Sequence, residues 1–91
     1  MTELLVSPTI HIEDGFVFYF FSYNVSVDEP PHVHVGERRP RARGDAKIWL
    51  NPVAVAASGR FKRREINRIL AIVSAERQEM LEEWYDYQQH L

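Results

Sequence analysis

The residues best suited to chemistry are His32 and His34, two positions apart in Pro30-Pro-His-Val-His-Val35. Alternate residues of an extended strand project from the same face, so the two imidazoles are expected side by side, roughly 6–7 Å apart. Three uses follow. The pair can supply two ligands to a divalent metal, with Asp28, Glu29 or Asp45 as a third. One ring can serve as general base and the other as general acid, because imidazole titrates near neutrality. On RNA that pairing would drive attack of a 2′-hydroxyl on phosphorus without a metal. The third use is structural, with both rings hydrogen-bonded to loop backbone. His11 joins the pair only if its strand neighbours theirs, and His90, near the terminus, is expected to be solvated.

Charge is strongly segregated. Ten of the eleven Lys and Arg residues, but three of the thirteen acids, lie between Gly36 and Arg68, a balance of +7 against −9 elsewhere. One basic cluster, Arg38, Arg39, Arg41 and Arg43, follows the histidines directly. The second, Arg60, Lys62, Arg63 and Arg64, falls where a long helical pattern begins. Arginine-rich loops hold nucleic-acid backbone in a salt-dependent way. Cations at a helix start oppose the helix dipole unless an anion sits there. Both clusters are therefore candidate phosphate contacts, with solvated charge as the plain alternative. Tyr19, Tyr23, Trp49, Trp84, Tyr85 and Tyr87 are available for base stacking, although Trp49 and Trp84 are expected to pack strand on helix.

These residues need a scaffold. With 91 residues there is room for one domain, of only moderate stability, which dimerisation would help. The absence of cysteine excludes a disulfide framework, a thiolate metal site and a thiol nucleophile. The start lacks the basic and apolar regions of a signal peptide, and no apolar run approaches the ~20 residues of a membrane span. A soluble cytoplasmic protein with no membrane partner is the expectation.

Residues 1–8 read as a lead-in to a single α+β domain over 9–91. Glu13-Asp14-Gly15 between apolar stretches marks a hairpin, with Phe16-Val-Phe-Tyr-Phe-Phe21 as its second arm. His32–Val35 and Ala46–Leu50 read as strands, and 36–44 as an exposed loop. Asn51-Pro52 is a break, and Val53–Ser58 reads as a short helical turn or irregular chain. From about Lys62, apolar residues recur at steps of three and four through Ile66, Ile69, Leu70, Val73, Met80, Leu81 and Trp84. This predicts one long helix, with a possible break near Ser74 and the aliphatic stem of Arg77 lying in the stripe. The expected order is β-β-β-β-α, a small antiparallel sheet of about four strands covered on one face by the C-terminal helix.

Phe18-Tyr-Phe-Phe-Ser-Tyr-Asn24, Glu29-Pro-Pro-His-Val-His-Val35, Ala46-Lys-Ile-Trp-Leu-Asn-Pro-Val53 and the segment from Arg64-Glu-Ile to Glu83-Trp84 resemble the small bacterial family called domain of unknown function 4160. The resemblance covers roughly residues 8–87. It implies a short, single-domain cytoplasmic protein, often encoded beside another small gene in an arrangement like a toxin–antitoxin pair. His32 and His34 occupy matching positions. The chain departs from the family's pattern in its longer Arg-Arg-Pro-Arg-Ala-Arg loop and in Lys62, which stands where members have a capping Ser ahead of Glu65. The function expected from these readings is nucleic-acid binding, RNA above DNA, with His32 and His34 doing any chemistry. The alternatives are a non-catalytic interaction module, acting as a homodimer or with a small cognate partner, and a His-x-His divalent-metal protein. No other cofactor is expected.

Overall fold

A computed structural model of the chain describes residues 8–21, 24–25, 29–37 and 44–90. Among the described residues five strands, β1 (Thr9–Glu13), β2 (Phe16–Tyr19), β3 (His32–Gly36), β4 (Ala46–Leu50) and β5 (Val53–Ala57), precede the long C-terminal helix α1 (Arg63–Gln89). The strands lie in chain order, each antiparallel to the next, so the sheet is a simple meander. Asp14 and Gly15 make the β1–β2 turn with φ of 55° and 81°. Two positive φ angles in succession match the right-handed twist of a tight hairpin, which is why Asp-Gly sits there. Pro8 is held beside β2, its carbonyl accepting the Phe20 N–H at 3.1 Å.

The sheet has one strand more than the sequence predicts. Pro52 ends β4, since it has no N–H to continue the ladder. The chain reverses at Asn51-Pro52 and returns as β5, with Leu50 opposite Val53 and Ile48 opposite Val55. Three alanines disguise this strand, because alternation between Val and Ala gives little hydropathy contrast.

α1 runs unbroken through Ser74. Its stripe of Ile66, Ile69, Ile72, Val73, Met80, Leu81 and Trp84 packs on Phe16, Phe18, Val33, Val35, Ala46, Ile48 and Leu50 from the sheet, with Phe20, Val25 and Phe61 closing the core. Arg77 lies in the stripe as expected. Its Nε donates to the Leu50 carbonyl and its Nη2 to Asn51 Oδ1, both at 2.8 Å, tying the helix to the β4–β5 turn. At the helix start the Lys62 N–H donates to Glu65 Oε1 at 2.9 Å. The reciprocal half of a capping box needs a side-chain acceptor at 62, and an ammonium has none. Arg68 reaches across to Asp14 at the β1–β2 turn. Among the described residues no helix is long and apolar enough to cross a membrane.

Candidate functional site

The pleat sorts the sheet residues into two faces. Val33, Val35, Ala46 and Ile48 point to α1. His34 and Lys47 are direct cross-strand neighbours on the other face, as are His32 and Trp49, and Tyr19 lies opposite His34. Trp84 belongs to the core, as expected. Trp49 does not pack strand on helix: it is half-buried on the face away from α1, with Lys47 Nζ 4.6 Å from its ring centroid. An odd step from the buried Ile48 and Leu50 leaves no other direction for it.

The two imidazoles do share a side, with ring centroids 5.1 Å apart, but their surroundings differ. His32 is fully sealed, at 0% exposure, between Trp49 and Trp84. Its Nδ1–H donates to the Pro30 carbonyl at 2.9 Å, and its Nε2 lies 3.1 Å from Asn24 Oδ1. Burial pushes its pKa below the usual histidine range, although the Pro30 bond opposes this. His34 is half-buried, stacked on Tyr19 at 5.5 Å and edge-on to Phe21 at 4.6 Å. Burial, reinforced by the charges of His32 and Lys47, lowers its pKa to about 4. His34 is therefore neutral at pH 7. Its Nε2 lies 3.2 Å from Asn24 Oδ1, so Nε2 carries the proton and Nδ1 keeps a lone pair with no hydrogen-bond partner among the described residues.

Asn24 is the hub of the site. Its Nδ2 donates to Glu29 Oε2 at 3.3 Å, which turns Oδ1 toward both rings. Glu29 is itself held by Lys47, Nζ to Oε1 at 3.0 Å, and this bond lowers the Glu29 pKa despite some desolvation. Tyr19 donates its hydroxyl to Asp45 Oδ2 at 2.6 Å, and Arg60 Nη1 bonds Asp45 Oδ1 at 3.2 Å. A continuous chain of contacts thus runs from His34 through Tyr19 and Asp45 to Arg60. The periodicity arguments miss Asn24, since a single amide in the helical residues between β2 and β3 has no pattern to mark it.

Two expectations are corrected by this geometry. A sealed, neutral His32 does not touch a substrate and does not donate a proton to one, so the acid–base pair of His32 and His34 is not available as arranged. For the same reason the two rings do not form a shared metal site: His32 has Nδ1 committed to Pro30 and Nε2 against Asn24. Glu29 lies 3.7 Å from His32 Nδ1 but is bonded to Lys47, and Asp45 serves Tyr19 and Arg60. Asp28 lies outside the described residues, as do Arg38, Arg39, Arg41, Arg43 and Tyr23. Of the second basic cluster, Arg60 joins the site, whereas Lys62, Arg63 and Arg64 are exposed at the start of α1. His90 is exposed, as expected. His11 does not join the pair. It is in register with Phe18 on the helix side and bonds Glu13 Oε1 at 2.8 Å. Ligand-capable atoms of His11, Glu13 and Glu76 lie within 4.8 Å of one another. His11 and Glu76 also line a cavity of about 470 Å³, together with Glu79, Glu82, Glu83 and Asp86.

The fold and site define a small α+β protein in which one helix covers one face of an antiparallel meander and a histidine strand lies at its centre. Within that class the chain belongs to the family described as domain of unknown function 4160, which it matches over residues 15–85. That span takes in β2 to β5, the histidines and Trp84. No curated protein and no solved structure gives a significant match.

Proposed function

We propose that this is a cytoplasmic bacterial protein of toxin–antitoxin type that binds single-stranded RNA on the sheet face away from α1. The observation that carries the proposal is the grouping on that face of a half-buried Trp49, Lys47 and a neutral His34 with an open Nδ1. Unpaired bases stack on aromatic side chains, while cations follow the phosphate backbone. Arg60 extends the surface in one direction, and Arg38, Arg39, Arg41 and Arg43, which follow Glu37 in the sequence, are proposed to add phosphate contacts. A lone pair on a neutral imidazole accepts a hydrogen bond from a 2′-hydroxyl or a base N–H, which serves recognition at any pH above about 4. Binding fits these groups better than cleavage does. A ring of so low a pKa is a weak base at neutrality, and its neighbour His32 supplies no acid. The partner protein that a paired gene would encode is part of the same proposal, and rests on the family resemblance.

The test is fluorescence anisotropy with a labelled, unstructured RNA of about a dozen nucleotides, titrated at several salt concentrations. Trp49→Ala is expected to weaken binding about 5- to 150-fold, from the ~1–3 kcal/mol of a base–aromatic stack. Lys47→Ala is expected to flatten the slope of log K against log salt by about 0.7, one phosphate contact on a single strand. The absence of RNA binding by the wild type at about 50 mM salt overturns the proposal, as does Trp49→Ala with unchanged affinity.

A further inference from the structure

The two edges of the sheet are unlike. β1 carries Glu13 and His11 and is flanked by the acidic side of α1, where Glu76, Glu79 and Glu83 stand. A second copy brought to that edge would meet its own negative charge. β5, at the other edge, reads Val-Ala-Val-Ala-Ala, without a charge or a proline, and is exposed from Ala54 onward. Sheet proteins normally blunt a free edge with lysine, proline or an inward charge, because an open row of N–H and C=O groups pairs with any available strand. None of the side-chain devices is present along β5. Its pairing with β4 skips Ala56, which limits the regular stretch to Val53-Ala54-Val55.

Beside β5 the helix presents a stretch without formal charge, bounded by Arg77. Arg77 reaches the β4–β5 turn, and Leu70 and Val53 are both packed at the border of the core. Residues three, seven and ten positions before Arg77 share its flank, so Ser74, Leu70 and Asn67 overhang β5. Gln78 follows on the same side. This flank has no formal charge between Asn67 and Ser74, in contrast to the opposite flank.

We infer that β5 pairs antiparallel with β5 of a second copy about a two-fold axis at Ala54. The ten strands then form one sheet, with both helices on the same side. The sequence is self-complementary in that register: Ala54 meets its own equivalent, and Val53 meets the partner's Val55, both on the helix face. Cross-strand pairs of this kind are the stabilising unit of a sheet, and none sets like charges opposite. A three-residue ladder alone falls well short of the ~800 Å² per partner of a stable interface. Asn67, Leu70, Ser74 and Gln78 supply the additional contact, and their uncharged side chains set no like charges against each other. An isologous contact also closes on itself, which leaves no edge for further growth at β5. Because β4 adjoins β5, the two faces bearing Trp49 become contiguous. The inference does not depend on RNA binding and is tested without nucleic acid.

Sedimentation equilibrium of the full chain at micromolar concentration is expected to give twice the chain mass. Ala54→Lys, which sets two ammonium groups against each other at the axis, is expected to give the chain mass with an unchanged circular dichroism spectrum. The chain has no cysteine, so single-cysteine variants report proximity directly. Ala54→Cys is expected to cross-link to a covalent dimer under mild oxidation, and Ile12→Cys on the exposed β1 edge is not. A wild type that sediments as a monomer overturns the inference. So does a dimer that persists in Ala54→Lys, or an Ile12→Cys variant that cross-links as fast as Ala54→Cys.

Discussion

Lowering the pH from 7 to 4.5 should destabilise the protein through His34, by an amount that the structure sets. The ring's pKa falls from 6.5 to about 4 on folding, chiefly because burial disfavours its charged form. Between those values the unfolded chain binds a proton that the folded chain refuses, so stability declines as the pH drops through that window. For these two values the linkage integral is about 2.5 kcal/mol at pH 4.5. The ring is half-buried and keeps some hydration, which reduces the expectation to about 1–2 kcal/mol. His32, also depressed by burial, acts in the same direction as the pH falls below 6.5. Glu29 acts elsewhere: its lowered pKa gives stability that is complete above 4.5 and is lost only as the pH falls below that. The assay is urea denaturation followed by circular dichroism at pH 7.0, 6.0, 5.0 and 4.5, for the wild type and for His34→Gln. Glutamine keeps an N–H near Asn24 but does not titrate, so the two curves of stability against pH should converge by about 1–2 kcal/mol on acidification. Parallel curves over the whole range would refute the assignment of a buried, neutral ring at position 34.

Two further perturbations probe the frame and the hub of the site. Gly59 has φ of +60°, and a Cβ there would lie 2.0 Å from the Gly44 carbonyl oxygen, so Gly59→Ala forces apart the connection that also carries the Arg60 N–H to Gly44 bond. A loss of more than about 3 kcal/mol is expected in the same denaturation assay, combining positive-φ strain with a backbone clash. Asn24→Ala leaves the His34 Nε2–H and a Glu29 oxygen without their amide, at about 1–3 kcal/mol per stranded group. Asn24→Asp puts a carboxylate against both rings instead, and should raise the His34 pKa toward the usual range, read from its imidazole proton shifts by NMR.

How much of this was legible in the sequence depends on how locally each feature is encoded. The Asp14-Gly15 hairpin and the long helix follow from turn chemistry and a 3.6-residue period, and both stand where they were expected. Even the polar Arg77 in the apolar stripe was legible, because an aliphatic stem can lie on a core. β5 was not, since Val and Ala alternate without a polar residue to show which face is which. The orientation of Trp49 was misjudged for a related reason. Tryptophan's size argues for the core, whereas the pleat assigns it to the face of His32, and the pleat decides. The His32–His34 side-by-side arrangement is strand geometry and was readable, but their unequal burial was not. It arises from Trp84, fifty-two positions away, which seals His32, and from Asn24, between β2 and β3, whose Oδ1 faces both rings.

That inequality makes the site lopsided. Had both rings been open, two imidazoles at 5.1 Å would have formed a ready acid–base pair or a metal clamp. With His32 buried, its part is to position. Pro30 fixes its tautomer, the ring packs beside Asn24, and Asn24, held by Glu29, in turn orients His34 through Nε2. Lys47 completes the frame from β4 by restraining Glu29, which restrains Asn24. Each member faces the next, so the Nδ1 lone pair of His34 is aimed by four side chains drawn from β3, β4 and the connection that precedes β3. A group aimed this firmly, held neutral, and set beside an aromatic ring and a cation is suited to reading a ligand's hydrogen-bond donors more than to moving its protons. The division of charge has a parallel logic: the acidic flank of α1 beside β1 repels other anions, including its own copy, whereas β5 carries no charge, and the proposed contacts use the second edge and not the first.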